Sequence, residues 1–525
     1  MKNSLARILQ LLSVSAFVSC PVLAKEKPNI VFVLIDDLGW QDTSLPMGDA
    51  PTIFNKTYRT PAVEEMARTG VTFTDARACP VCSPTRVSLL SGMNAARHRV
   101  TSWTLRKEGE TGFPSELPAP RDWRRAGFDV NWPSLPGLLK KNGYKTIMIG
   151  KAHFGAIDTP SADPLNLGFD VNIAGHASGG PASYQGEDNY ASKSGGGVWN
   201  VPGLEKYHGT STNLTDALTK EACAQIEAAA REQKPFFLYL AHYAVHVPIQ
   251  PDKRFIKNYT GTKYAGTDFV MKPVETQYAS MIEGYDASIR SVLDTLKKTG
   301  VARKTLVVFY SDNGGLAAHA RGKTPYGGAN SQNWPLRAGK GSAYEGGTRV
   351  PMVVVWAEVD AEASLQKDIP VKMGLRTKSA VMPEDFMPTF LHWAGGSLPA
   401  DAKGVVHDGN DFTGALTGAS SPGRPLVFHY PHSWIKPEPD YTPHSSIVLD
   451  GWKAIYFYIP DKWELYHIAG DIGEKTELSK DKPEKLRELA TRLQKELSAR
   501  EAQWPWNPKL KQEAPLKVPE GKAEG

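Results

Sequence analysis

The chain has 525 residues, 41% of them hydrophobic and 22% charged, with 47 glycines and 39 prolines. That composition fits a globular protein with many ordered loops, and it excludes a disordered chain, a collagen and a disulfide scaffold. A net charge of +5 over this length gives no electrostatic case for nucleic acid as a partner.

Met1 to Arg7 is short and positive, and Ile8 to Val22 is apolar but interrupted by Gln10, Ser13, Ser15 and Ser19. Val22-Leu23-Ala24 then offers small residues where a signal peptidase cuts, so residues 1–24 read as a secretory signal. A rival reading is Phe17-Val18-Ser19-Cys20 as an imperfect lipoprotein box. Nothing later is apolar enough to span a bilayer. The expectation is therefore an exported protein, periplasmic or secreted, with no membrane span. Removing the signal leaves Cys79, Cys82 and Cys223, an odd number that calls for comment in an exported chain. Cys79-Pro80-Val81-Cys82 has redox or half-zinc spacing, but no second cysteine pair accompanies it.

Short unbroken apolar runs predict buried strands at Asn29–Ile35, Lys145–Ile149, Phe236–Ala241, Thr305–Tyr310 and Met352–Trp356. Helical patterns at Pro61–Thr69, Leu135–Asn142, Leu214–Arg231 and Tyr278–Thr299 lie between some of them. This alternation predicts an α/β fold, a large mostly parallel sheet with helices on both faces. Residues Gly175 to Gly203, rich in Gly, Ser and Asn, read as a long surface loop. Near Pro422 the pattern changes. Pro425–His429, Ser445–Leu449 and Trp452–Ile459 read as hairpin strands, and Lys482–Arg500 places Leu486, Leu489, Leu493 and Leu497 on one helical face. The expected division is a catalytic domain over 25–421, a smaller C-terminal antiparallel sheet with a packed helix over 422–505, and a loose tail over 506–525.

In open α/β sheets, ligands bind beyond the carboxyl ends of the strands. Asp36-Asp37 follow the first predicted strand, Lys151 and His153 the second, His242 and His246 the third, and Asp312-Asn313 the fourth. Any one pair is an ordinary turn or helix cap; four together predict a site. Asp36, Asp37, Asp312 and Asn313 are hard oxygen donors suited to Ca²⁺ or Mg²⁺ rather than zinc. Arg86, Lys151 and Lys340 are cations able to grip a tetrahedral anion, and His153 and His246 are proton carriers.

Cys82-Ser83-Pro84-Thr85-Arg86, followed by Ser91-Gly92, resembles the signature of the formylglycine-dependent sulfatases, in which the cysteine is oxidised to an aldehyde. The resemblance continues in that family's order through Asn29–Gly39, Gly150–Gly155, Ala244–Pro248, Ser311–Gly315 and Leu336–Arg349. Thr85 and Ala152 depart from the usual small and bulky residues at their positions. The resemblance implies the alkaline-phosphatase/sulfatase-like fold and hydrolysis of sulfate monoesters. It implies a metal, Ca²⁺ with Mg²⁺ as the alternative, held by Asp36, Asp37, Asp312, Asn313 and modified Cys82. Arg86 would hold the aldehyde hydrate, Lys151 and Lys340 the sulfate oxygens. His153 would assist sulfate release, and His246 would protonate the leaving sugar oxygen. It also implies a formylglycine-generating maturation enzyme as a partner.

Trp103, Arg106, His176 and His432 are the candidates to contact a substrate sugar, on grounds of position and polarity. By analogy with exported sulfatases the substrate would be a sulfated glycan. The alternatives are a formylglycine-type phosphonate or phosphate ester hydrolase, a non-catalytic binding homologue, and a thiol oxidoreductase built on Cys79 and Cys82.

Overall fold

The computed structural model describes residues 26–194, 197–316, 333–399, 406–419, 423–434 and 439–520. The expected signal segment lies outside the described residues. Eight strands form the main sheet: β1 (Asn29–Ile35), β2 (Val71–Phe73), β3 (Lys145–Gly150), β4 (Val171–Ile173), β5 (Phe236–Ala241), β6 (Thr305–Ser311), β7 (Met352–Trp356) and β8 (Leu375–Thr377). Their order is β4-β3-β5-β1-β6-β7-β2-β8. The pairings from β4 to β6 are parallel, and β7 runs antiparallel to both β6 and β2.

β1 shows why its sequence is uninterrupted Ile, Val, Phe and Leu. Val31, Val33 and Ile35 enter one hydrophobic core while Ile30, Phe32 and Leu34 enter the other. Both faces are covered, so alternation with polar residues is impossible. Leu214–Glu232 and Pro273–Lys298 lie on the first face, and Cys82–Ser91, Leu135–Lys141 and Phe386–Trp393 on the second. The three-residue strands β2, β4 and β8 were not legible in the sequence, being too short to show a period.

The second sheet is antiparallel, with β9 (Leu426–Tyr430), β10 (His444–Leu449), β11 (Trp452–Phe457) and β12 (Lys462–Tyr466) in the order β12-β11-β10-β9. The helix Pro483–Ala499 packs Leu486, Leu489, Leu493 and Leu497 onto it. Two expectations need correction. Residues expected as a loose tail form a hairpin, Trp506–Asn507 against Gln512–Glu513, with Leu516 buried beyond it. The loop after Gly175 is not superficial: Ser178, Gly179, Gly180, Tyr184 and Tyr190 are buried. Among the described residues, no helix is long and apolar enough to cross a membrane.

Candidate active site

β1 is central, and its end sets the site. Asp36 and Asp37 emerge between the ends of β5 and β6. Asp36 N–H donates to Ala244 O at 2.9 Å, and its carbonyl accepts from Val245 N at 2.7 Å. Asp37 turns through a left-handed φ of 59°, and its N–H donates to Asp312 Oδ1 at 3.2 Å. Sheet register alone therefore brings residues from three distant segments together.

Three buried carboxylates meet three buried cations there. Lys151 Nζ donates to Asp36 Oδ2 at 2.5 Å, and Lys340 Nζ lies 2.6 Å from Asp37 Oδ1. Arg86 donates through Nε and Nη2 to Asp312 Oδ2 at 2.9 and 2.8 Å, and through Nη1 to Lys151 O at 2.6 Å. Formal charge balances, but hydrogen bonding does not. Asp36 Oδ1, Asp37 Oδ2 and Asn313 Oδ1 are buried without a hydrogen-bond partner. Asn313 Nδ2 donates to Asp37 Oδ1 at 2.8 Å and to Gly314 O at 2.9 Å, which leaves its own oxygen free. Each such orphan costs about 1–3 kcal/mol. Asp36, Cys82 and Asp312 also bring ligand atoms within 4.8 Å of one another. This donor set fits a hard divalent cation.

The electrostatics show the same strain. Burial, reinforced by Asp312, holds the Asp36 carboxyl well above the ordinary range. Burial also opposes ionisation of Asp37 and Asp312, but Lys340 and His246 hold the first below its usual value, and Arg86 and Lys151 the second.

Cys82 is the first residue of the helix Cys82–Ser91, and every residue of that helix is buried. Burial raises its thiol, with Lys151 and Lys340 pulling the other way. The unmodified side chain is therefore not an activated thiolate. Cys79 is also buried, its thiol pushed up to about 12 by burial, and its backbone N–H donates to Thr85 Oγ1 at 2.9 Å. A raised, buried thiol is the opposite of what a redox cysteine needs. Cys223 lies away from the site, on the helix Leu214–Glu232.

The two histidines present one bare nitrogen each. His153 Nε2 is 2.8 Å from Thr104 O and must donate to it, so Nδ1 carries no proton and is buried without a partner. Burial and Lys151 keep this ring neutral. His246 Nδ1 donates likewise to Val247 O at 2.7 Å, which leaves Nε2 3.7 Å from Asp37 Oδ2. Burial, then Lys340, lowers His246 to about 3. Gly179 and Gly180 lie against these rings. A Cβ at Gly179 would sit 2.3 Å from the His153 ring, and one at Gly180 2.9 Å from His246 Nδ1.

A pocket of about 270 Å³ opens above Cys82, with Asp37, His153, His246 and Lys340 also in its wall. The structure thus brings together Asp36, Asp37, Cys82, Arg86, Lys151, His153, His246, Asp312, Asn313 and Lys340. Of the four candidate sugar contacts only Trp103 lines the pocket. Arg106 is exposed outside it. His176 holds Tyr243 OH through Nδ1 at 3.0 Å, and buried His432 meets Thr101 Oγ1 through Nε2 at 2.8 Å. Both bond side-chain hydroxyls, and neither lines the pocket. Sequence reasoning missed Phe113, Trp199 and Trp434 in the wall. The Gly179-Gly180 pair was a readable signal for close packing; the three aromatics carried none.

The Sulfatase family model matches residues 28–397, and a second, described as N-sulphoglucosamine sulphohydrolase, C-terminal, matches 339–503. A protein from Formosa agariphila described as Sulfatase is 28% identical over 91% of this chain and 89% of its own length. The N-acetylgalactosamine-6-sulfatase of Mus musculus is 29% identical over 86% of this chain and 76% of its own. Among solved structures, Ps i-CgsB in complex with k-i-k-neocarrahexaose superposes with a TM-score of 0.68 at 28% identity, covering 90% of this chain and 93% of that one. With a family match spanning most of the chain and a buried charge cluster at the sheet end where that match begins and returns, the chain belongs to the sulfatase family and is a sulfuric ester hydrolase.

Proposed function

We propose that this enzyme removes sulfate from a sugar of a sulfated glycan, using a formylglycine derived from Cys82 and a divalent cation, Ca²⁺ in preference to Mg²⁺. The observation that carries the reading is the set of three orphaned buried oxygens beside Cys82, ringed by Arg86, Lys151 and Lys340. The sugar is supported by relatives: one is named N-acetylgalactosamine-6-sulfatase, and one was solved in complex with k-i-k-neocarrahexaose.

Held by Asp36, Asp37, Asp312, Asn313 and modified Cys82, the cation supplies charge neutralisation for the ester's sulfuryl oxygens. Formylglycine, once hydrated, supplies a nucleophilic hydroxyl and a second hydroxyl through which sulfate can be released. Lys151 and Lys340 bind sulfate oxygens, and their pairing with Asp36 and Asp37 keeps them in place beforehand. Such preorganised charge is often the largest catalytic contribution. Arg86, immobilised by Asp312 and Lys151 O, holds the modified side chain. Nδ1 of His153 is free to take a proton, the role expected in sulfate release. Nε2 of His246, 3.7 Å from Asp37 Oδ2 and bare in the neutral ring, takes a proton from solvent as the ester binds and delivers it to the leaving oxygen. An anionic ester seated against Lys340 offsets the cation that depresses His246, raising its proton affinity as substrate binds.

The further parts of the reading are export through residues 1–24, to the periplasm or beyond, maturation by a formylglycine-generating enzyme, and a chain division near 421. The test is sulfate release from sulfated galactose, N-acetylgalactosamine, N-acetylglucosamine and uronic-acid saccharides, after maturation in a host that oxidises Cys82. The mass of the tryptic peptide from Ala78 to Arg86 establishes the aldehyde. Release from one sugar at one position is the expected result. Cleavage of phosphonate esters alone, with the aldehyde present, would replace this reading with the phosphonate hydrolase.

A further inference from the structure

The pocket above Cys82 has one wall that the proposed chemistry does not use. Trp103, Phe113, Trp199 and Trp434 all line it, with Phe113 50% and Trp199 36% exposed. Solvent-facing aromatic clusters of this kind mark binding surfaces. They come from separate segments that are pinned together. Phe113 N–H donates to Ser433 O at 2.9 Å, which sets Phe113 beside the segment carrying Trp434. Thr111 Oγ1 donates to Trp103 O at 2.6 Å, and Ala182 N–H to Trp199 O at 2.7 Å. The Trp103 and Trp199 rings touch with centroids 6.4 Å apart. Trp434 lies against Gly341, where a Cβ would come within 2.2 Å of the indole, and Lys340 sits 5.3 Å from its ring centroid.

This wall is preorganised, and it selects by shape and apolar contact. Among the described residues, its one cation is Lys340, already paired with Asp37. Among the described residues, a carboxylate or second sulfate on the leaving group would find no free partner there. A pyranose has apolar C–H faces that pack on indole, with its hydroxyls left to solvent. The volume, about 270 Å³, lies below the roughly 300–1,000 Å³ of sites for drug-sized ligands, which is room for the ester and one ring.

We propose that Trp103, Phe113, Trp199 and Trp434 form a stacking platform that selects a sugar ring uncharged apart from its sulfate ester. This rests on the sulfatase reading of the same site. Trp199 pairs its ring with Trp103, whereas Trp434 lies beside Lys340, so Trp199 is the cleaner variant and Trp434 the second. On sulfated galactose or N-acetylgalactosamine, whichever the enzyme cleaves, Trp199→Ala and Trp434→Ala should each raise KM about tenfold, the 1.4 kcal/mol expected of a lost aromatic contact, with kcat changed far less. Trp434→Phe should recover most of the loss. Inhibition by inorganic sulfate, which needs only the cations, should be unchanged in Trp199→Ala, whose ring pairs with Trp103 and not with Lys340. The wild-type enzyme should favour the neutral sugar sulfate over a sulfated uronic acid by about tenfold or more in kcat/KM. Unchanged KM in both alanine variants, or equal use of the uronic acid, would overturn the platform while sulfate release continued. Loss of sulfate inhibition in step with KM in Trp199→Ala would reduce the tryptophans to structural props and overturn it too. No release from any ester by protein of confirmed aldehyde content, 4-nitrophenyl sulfate included, would overturn the underlying sulfatase reading and the platform with it.

Discussion

Two charge clusters in this enzyme, one wholly buried and one buried but for Asp75, have the same formal charges and different designs. At the end of β1, Asp36, Asp37 and Asp312 face Arg86, Lys151 and Lys340. At the seam between the sheets, Asp75, Glu345 and Glu474 face Arg77, Arg349 and Lys453. In the second cluster both oxygens of Glu345 are used. Oε1 accepts from Arg77 Nη1 at 2.8 Å and Lys453 Nζ at 3.0 Å, and Oε2 from Arg77 Nη2 at 3.0 Å and Arg349 Nε at 2.7 Å. Burial opposes its ionisation, but Arg77 and Lys453 hold its carboxyl well below the usual range. The first cluster leaves Asp36 Oδ1, Asp37 Oδ2 and the oxygen of adjoining Asn313 without hydrogen bonds, whereas in the second Glu474 Oε1 alone is so placed, 3.0 Å from Lys453 Nζ. Burial raises one carboxyl in each, Asp36 and Glu474. Equal charge counts thus separate a clasp whose central carboxylate, Glu345, is saturated by cations from a site that keeps several oxygen donors spare.

The sharpest way to break that contrast is to cut each cluster once. Cys82→Ala should abolish sulfate release while leaving thermal unfolding close to wild type, since a small buried side chain is trimmed and no ion pair is opened. Turnover by the folded variant would remove the assigned nucleophile. Glu345→Gln should do the reverse. It leaves Arg77, Arg349 and Lys453 buried with too little negative charge, and breaking a buried pair this way costs about 3–5 kcal/mol. Denaturant unfolding measures it, and a loss under about 1 kcal/mol would mean that the seam is not held by this cluster.

Removing the cation tests the same contrast less drastically. A ligand present at about 100 times its dissociation constant stabilises by about 2.7 kcal/mol. A chelator should therefore lower the melting temperature of the wild type, and added Ca²⁺ should restore it. Asp36→Asn should abolish that chelator response, whatever its own melting temperature. A wild-type protein indifferent to chelator would show that the orphaned oxygens do not bind a metal.

The sequence already carried most of the first cluster and little of the second. Asp36-Asp37, Lys151 and Asp312-Asn313 follow strands whose apolar runs are unmistakable, and register on β1 does the rest. Lys340 and Arg86 follow no parallel strand, so strand ends did not mark them; they stood out as cations, and resemblance to the sulfatases gave them their roles. The aromatic wall was hidden because Phe113, Trp199 and Trp434 sit in irregular segments with no period, brought together by backbone hydrogen bonds that leave no trace in composition. Glu345 and Arg349 are i,i+4 neighbours, but Lys453 and Glu474 join them only when the second sheet docks, and sequence spacing says nothing of docking. His176 and His432 misled for a related reason. A histidine in a polar loop looks the same whether it meets ligand or a neighbouring hydroxyl.

Asp286 supplies a third solution for a buried carboxylate, and the smallest effect. It caps the helix Pro61–Thr69, its two oxygens accepting from Ala62 N and Val63 N at 3.0 Å each. Burial outweighs those bonds and raises its carboxyl from 3.8 to about 7. The folded protein therefore binds this proton more tightly than the unfolded chain does. The stability it contributes is fully present below about pH 4 and is lost as pH rises through about 7. Asp286→Asn keeps one acceptor and cannot ionise. It should be less stable than wild type at pH 5, and the gap should close or invert by pH 8. Melting temperatures of the pair across that range decide it, and parallel pH profiles would mean that Asp286 stays ionised in the fold, held by helix amides in place of the cations the two clusters use.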